Sequence, residues 1–355
     1  MLLIIKGMET KNKIKVAIIG AGRMGITHYS IINSHPDVLI DSVAEPSGIV
    51  SGMINKYLPV KTFDDYNELF EKAKPDAILV CTPPNLHYTI IKKACEKGIH
   101  VFVEKPFSAN CKEAKELTAL YSNLPLVNQV GYVNRFNDVF NKVKEFIDNN
   151  VIGKLVRFKS EMFSCTVTGR TENSGWRSSR TNGGGAVFEM ASHAIDLVNF
   201  LFGKPEKVTG SSLNFIFSRD VEDAVSSTFL YNNGMTGTIY VNWSDTSYRK
   251  PTNKIEVFGL AGRIIADQLS LKIFLNADNK KYNLRQGWNT IYITDIFNPV
   301  PFYVRGNEFT SQLYHFVDCI LGRENSNRCS FSDGLITHEI ISEIFNDYEK
   351  NGKLK

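Results

Sequence analysis

The stretch Ile14-Lys15-Val16-Ala17-Ile18-Ile19-Gly20-Ala21-Gly22-Arg23-Met24-Gly25 decides how the rest of the chain is read. A β-branched apolar run feeds directly into a GxGxxG turn, and Ile26–Ser34 after it suits a helix. Glycines at those positions let the backbone turn tightly and approach a pyrophosphate, which the amides and positive end of the helix then hold. Glu45 lies twenty residues beyond Gly25, at the end of the next apolar run, Leu39–Ala44. A carboxylate there can accept both hydroxyls of an adenosine ribose and repels a 2′-phosphate, and no arginine follows in Glu45-Pro46-Ser47 to offset it. NAD is therefore expected in preference to NADP.

Working outward, short apolar runs at Ala77–Cys81, His100–Val103 and Leu126–Val130 alternate with amphipathic stretches such as Asn85–Lys97 and Lys112–Tyr121. That rhythm predicts a parallel sheet with helices on both faces and ligands at the carboxyl ends of its strands. After about Val151 the rhythm changes. Leu155–Phe163, Val208–Phe217, Ala224–Tyr231 and Met235–Trp243 read as antiparallel strands, with Asn232-Asn233-Gly234 as a hairpin turn. Ala186–Phe202, Glu308–Leu321 and Gly334–Glu349 read as helices.

Length and composition agree with two domains. The chain has 355 residues, 43% hydrophobic and 22% charged, which excludes disorder and low-complexity classes. Net charge is +4, divided as +3 up to Arg135 (16 basic against 13 acidic) and +1 beyond it (25 against 24). Neither part is a polyanion-binding surface by charge, so no nucleic-acid partner is expected. The six cysteines form no CxxC pair, which fits neither a zinc site nor a disulfide framework and points to a reducing cytoplasm. The apolar start of the chain is too short for a secretory segment, and no later run approaches the roughly 20 residues that span a bilayer. No membrane partner is expected, and Met8 is an alternative start to Met1.

Two further strand ends carry polar groups: Thr82-Pro83-Pro84-Asn85-Leu86-His87 and Glu104-Lys105-Pro106. Thr82 and Asn85 suit helix capping as well as cofactor contact, and His87 suits the exposed first turn of a helix as well. Lys105 follows an apolar strand at the ligand edge, where a lysine can polarise a hydroxyl or carbonyl and guide its proton. The segment Gly183-Gly184-Gly185 leads into a helix on which Glu189, His193 and Asp196 stand at i, i+4 and i+7, a single polar stripe on an otherwise apolar helix. Such a stripe lines a polar cavity or satisfies itself within the core. Glu189 and His193 could ligate a metal, but no second ligand cluster is visible and no metal is expected. The upstream glycines permit another group to approach, and Trp176-Arg177 suits stacking and hydrogen bonding on a polyhydroxyl ring.

In combination and order, GAGRMG with Glu45, TPPNLH at 82–87, EKP at 104–106, GYVNRF at 131–136, WR at 176–177 and GGG-x3-E-x3-H-x2-D at 183–196 resemble the glucose–fructose oxidoreductase, inositol dehydrogenase and rhizopine-catabolism (Gfo/Idh/MocA) family. The resemblance covers nearly the whole chain. It implies an α/β Rossmann domain over 14–135, then an α+β domain over 136–355 with a large open, mostly antiparallel sheet, whose terminal helix can pack back on the first. It implies NAD(P)-linked chemistry on a CH–OH carbon of a sugar, nucleotide sugar or cyclitol. Lys105 matches the catalytic lysine, often followed by a cis-proline, here Pro106, and His193 matches the catalytic histidine. Glu189 stands where many members have aspartate, which keeps the carboxylate and lengthens its reach. The cofactor set is Gly20, Gly22, Arg23, Met24, Gly25, Glu45, Thr82, Pro83, Asn85, His87, Glu104 and Lys105, and the substrate set is Arg135, Trp176, Arg177 and Asp196.

A dehydrogenase uses His193, with an ordinary pKa near 6.5, to exchange the substrate proton in either direction, supported by Lys105 and Glu189. The rival is a non-catalytic dinucleotide-binding regulator, for which a proton-transfer pair beside the cofactor has no purpose. Convergence of Arg135, Arg177 or Arg180 on one pocket would favour a phosphorylated or nucleotide-linked substrate. Thr236–Trp243 alternates a buried set with a Thr- and Tyr-rich set, a lightly charged face that a symmetric partner would cover, so a homodimer or homotetramer is expected.

Overall fold

The computed structural model describes residues 13–169, 177, 179, 180 and 183–352. Six parallel strands form the first sheet: β1 (Ile14–Ile19), β2 (Val38–Ala44), β3 (Lys61–Phe63), β4 (Ala77–Val80), β5 (His100–Val103) and β6 (Asn128–Val130). Their order is β3-β2-β1-β4-β5-β6, the doubly wound arrangement in which the strand order reverses beside β1. Val16, Ala17, Ile18 and Ile19 are all buried because β1 is central and covered on both faces. Helices α1 (Arg23–Ile32), α2 (Gly48–Tyr57), α3 (Tyr66–Lys72), α4 (His87–Glu96) and α5 (Cys111–Tyr121) make the crossovers.

The second sheet has eight strands. They are β7 (Leu155–Phe163), β8 (Lys207–Asn214), β9 (Ala224–Leu230), β10 (Thr236–Asn242), β11 (Thr252–Gly259), β12 (Gly262–Asp267), β13 (Ser270–Leu275) and β14 (Gly287–Tyr292). The order is β14-β13-β12-β11-β7-β10-β9-β8, and the β9–β10 hairpin turns at Gly234, whose φ is +84°. Every pairing is antiparallel except β7 with β10, which run parallel. The exception arises because the chain leaves β7 through a helical crossover and returns through β8 and β9 before reaching β10. Strands β11 to β14 carry the same alternation as their neighbours, such as Ile255 and Val257 inward with Lys254 and Glu256 outward.

Helices α6 (Asp138–Asp148), α7 (Ser192–Phe202) and α10 (Phe331–Asp347) cover one face of this sheet, joining Val143, Leu197 and Ile344 to Ile239, Val257 and Ile273 in one core. A four-residue α8 (Ile293–Ile296) follows β14. Helix α9 (Asn307–Ile320) returns to the first sheet, where Leu313, Phe316 and Val317 pack with Phe102 and Leu79. Helix α10 bridges the two sheets, since Ile344 belongs to the second core while Phe331 stacks on Phe107 at 5.0 Å between ring centres.

Six of the seven histidines, His35, His87, His100, His193, His315 and His338, are held below the ordinary imidazole value, in each case first by burial. His338, fully buried against Phe107, is lowered to about 4. A depressed native value gives stability that is present above the unfolded value near 6.5 and lost as pH falls toward 4. Wild type should thus lose up to about 3 kcal/mol more than His338→Gln between neutral pH and pH near 4, read from urea midpoints at each pH. Parallel pH dependence in the two proteins would show that His338 is not held neutral.

Candidate active site

Gly20 leaves β1 with φ +90°, its amide donating to Ala44 O at 2.8 Å, and a Cβ there would meet the Cys81 carbonyl at 3.0 Å. A Cβ on Gly25 would lie 2.0 Å from Gly20 O, so the helix can start this close to the turn only with glycine. Gly22 behaves differently. Nothing lies within 4 Å of where its Cβ would be, and no side chain caps α1 at this residue. The first amides of α1 are thus unspent and face an open approach, which suits the diphosphate of a dinucleotide. Arg23 is exposed and Met24 half-buried at the same edge.

Glu45 is more constrained than its motif position suggests. Its two carboxylate oxygens accept from the amides of Ala21 (2.8 Å) and Ser47 (2.9 Å), so it braces the glycine turn while keeping lone pairs for ribose hydroxyls. Glu45→Ala should weaken NAD binding by roughly tenfold or more and narrow the gap to NADP, measured as two dissociation constants. A wild type that already prefers NADP would contradict the assignment of Glu45.

Opposite the turn, Thr82 packs against Gly20 while Pro83 and Asn85 are exposed at the cleft edge, and no side-chain cap forms at the start of α4 or of the short turn before it. His87 is not an exposed helix residue. Its ring is fully buried, with Nδ1 at 3.0 Å from Pro106 O and Nε2 at 2.8 Å from Thr82 O, so it ties two ligand-edge loops together. Glu104 likewise faces inward, accepting from His28 Nε2 at 2.6 Å. His28 itself was hidden in the sequence; its only signal is helical spacing with Gly25 and Ile32 on the buried face of α1.

The Lys105–Pro106 bond is cis. Lys105 Nζ donates to the Glu189 main-chain oxygen at 2.6 Å and to Glu189 Oε2 at 3.1 Å, while Arg177 Nη2 donates to Oε1 at 3.2 Å. Glu189 thus bridges two cations from different segments. It lies in a π turn, Val187–Ala191, that runs into α7. Partly buried His193 follows, its Nδ1 enclosed without a hydrogen bond and its ring edge-on to Tyr132 at 6.2 Å. Burial first, and then the charge of Lys105, hold its imidazole well below the ordinary value. The free site therefore keeps His193 neutral, a proton acceptor, rather than evenly poised.

The polar stripe does not stay together. Glu189 and His193 face Lys105, but Asp196 is fully buried and takes Arg135 Nε at 2.9 Å and Nη2 at 2.9 Å. Arg135 Nη1 also donates to Asp333 Oδ1 and to Arg328 O, each at 2.9 Å. Arg135 and Asp196 accordingly fasten α7 to the segment after β6 and to the capping box of α10, and neither is open to substrate. Burial pushes the Asp196 carboxyl up, to about 6, against the pull of Arg135, so the pair is ionised at neutral pH. Trp176 lies outside the described residues.

The glycine triplet also has an internal purpose. A Cβ on Gly185 would come 2.4 Å from Glu222 Oε1, and Glu222, almost fully buried, accepts from the amide of Val187 at 2.9 Å. The group that the glycines admit is thus a carboxylate of the protein. A Cβ on Gly183, whose φ is +78°, would lie 3.3 Å from Pro84 Cβ across the cleft. Among the described residues no group of three His, Cys, Asp or Glu side chains could hold a metal, and no helix is long and apolar enough to cross a membrane.

Glycine turn, the Glu45 carboxylate at the end of β2 and strand order define a Rossmann unit, joined to a second unit that packs against its ligand edge. Residues 14–132 match the family described as "Oxidoreductase family, NAD-binding Rossmann fold", and residues 140–265 match the "GFO/IDH/MocA C-terminal domain". The chain belongs to the Gfo/Idh/MocA family of NAD-binding oxidoreductases. It is 30% identical over 200 residues to an uncharacterised oxidoreductase of Schizosaccharomyces pombe, spanning 55% of this chain and 53% of that protein. It is 26% identical to scyllo-inositol 2-dehydrogenase (NAD(+)) of Bacillus subtilis over 87% of both chains. In fold it is similar to levoglucosan dehydrogenase, solved in complex with NADH and levoglucosan, at TM-score 0.86 and 20% identity, covering 95% of this chain and 97% of that one.

Proposed function

We propose that this protein oxidises a CH–OH carbon of a neutral, hydroxyl-rich ring, a sugar or cyclitol, with NAD as hydride acceptor, and runs the reverse reduction. The observation that carries this reading is the Lys105–Glu189 pair at the ligand edge of the first sheet, with the neutral His193 beside it. Bound NAD supplies a nicotinamide carbon that takes the hydride as the C–O bond becomes a carbonyl. The hydroxyl proton passes to His193, and Lys105 donates a hydrogen bond to the substrate oxygen as its charge grows. Glu189 aims the Lys105 ammonium and anchors Arg177, which remains a substrate contact at the rim.

Charge supports a neutral substrate over a phosphorylated one. Arg135 lies against Asp196 and Asp333, Arg177 against Glu189, and Arg180 against Glu222 at 3.7 Å, so the three do not converge on one anion site. A panel of free sugars and cyclitols set beside their phosphates, read as NADH absorbance, tests this. Turnover is expected with neutral rings, and a clear preference for phosphates would overturn the substrate class. All six cysteines are unpaired, which supports a reducing cytoplasm as the place of work.

The outer face of the second sheet supports self-association. Phe258, Arg263, Phe274 and Trp288 form one cross-strand row, and Phe258 and Trp288 are about half exposed, at 48% and 55%. The helices in the core of this unit lie on the other face. Light scattering should give a dimer or tetramer that Trp288→Glu shifts toward monomer, whereas a 40 kDa particle for wild type would contradict the reading.

A further inference from the structure

Helices α1 and α9 run side by side in the same direction. Arg305, just before α9, meets Met24 at the start of α1, with Nη1 at 3.5 Å from Sδ. Ten residues further on, just past the end of α1, Ser34 Oγ lies 2.9 Å from Tyr314 Oη. The sequence offsets, 281 and 280, are the same to within one residue, so the packing of α9 on the first sheet delivers Arg305 to the glycine turn. The side chain is aimed there by its own support, since the guanidinium lies 5.1 Å from the centre of the Phe309 ring, in the first turn of α9.

The charges around Arg305 are unbalanced. Among the described residues no carboxylate comes within ion-pair distance of Arg305 or of Arg23. The neighbouring Arg23 charge acts against the Arg305 cation, adding to its partial burial, and only Glu104, already bonded to His28, acts the other way. Two cations meet here at the unspent amides of α1 and at the open approach over Gly22. Bringing like charges together in a partly dry cleft is unfavourable unless an anion completes the site.

We propose that Arg305 is a cofactor-binding residue supplied by the second unit, clamping the dinucleotide diphosphate against the glycine turn. The inference rests on NAD binding at that turn and extends it to a residue outside the Rossmann unit. Arg305 then couples cofactor binding to the docking of α9 on α1, because the clamp forms only when that contact holds. A charge-assisted contact to phosphate oxygens predicts a loss of roughly tenfold or more when the guanidinium is removed.

The test is fluorescence titration of the full-length protein with NADH and, in competition, with ADP-ribose, which keeps the diphosphate and lacks nicotinamide. Arg305→Gln should weaken both ligands by a similar factor and flatten the salt dependence of binding, and Arg305→Lys should recover part of the loss. Unchanged affinity for both ligands would overturn the proposal. So would weaker NADH binding with ADP-ribose unaffected, which would move the contact to the nicotinamide half. A wild type that fails to bind NADH would instead count against the glycine turn as a dinucleotide site, a result distinguishable from either.

Discussion

His193→Asn and Lys105→Ala should each lower kcat by roughly 10²–10⁴-fold while leaving NADH affinity within a few-fold, the effect expected when a positioned acid or base is removed. In the proposed reading the glycine turn and Glu45 hold the adenosine half of the cofactor, away from both side chains. Both face the same enclosure, and the charge of Lys105 contributes to keeping His193 neutral. The double variant should therefore fall well short of the product of the single effects, since the two act on one proton. Parallel melting curves make the experiment decisive. A large loss of melting temperature in both variants, with activity falling in proportion to folded protein, would mean that the residues hold the core and do no chemistry.

Asp196→Ala should cost about 3–5 kcal/mol of stability, because it strands Arg135 in a site with almost no access to water. Asp333 and Arg328 O still hold Nη1, but Nε and Nη2 lose their acceptor. For a chain of this size the melting temperature should drop by roughly 4–7 °C. Replacing the pair together, Arg135→Met with Asp196→Leu, should restore most of the loss, since a packed apolar pair needs no charge compensation. Asp196 lies one turn beyond His193 on α7, so the single variant should also reduce kcat by loosening the helix that carries the histidine. Unchanged stability in Asp196→Ala would show that the ion pair is dispensable to the fold.

The glycine turn and its strand were legible because glycine is demanded there by contacts as close as 2.0 Å, leaving a pattern in sequence alone. Lys105 was legible for a similar reason, as a charge at the end of an apolar strand. The pairing of Arg135 with Asp196 is not legible in the sequence, which shows that a residue is polar without showing which polar partner it meets 61 positions away. Glu222 and Arg305 gave no local signal, being brought to the site only by β9 and by the docking of α9. His87 shows the converse error: at a loop tip it looks exposed, yet the approach of the Lys105–Pro106 loop buries it.

The most direct test is the pH dependence of kcat/KM for oxidation, compared between wild type and His193→Asn at matched folded fraction. A neutral acceptor is needed, and burial with the Lys105 charge keeps His193 neutral below its ordinary range. Wild-type kcat/KM should stay level as pH falls through about 6.5 and decline only at more acid pH, and the variant should lack that acid limb. An identical acid limb in both proteins would contradict the assignment of His193 as the group that takes the substrate proton.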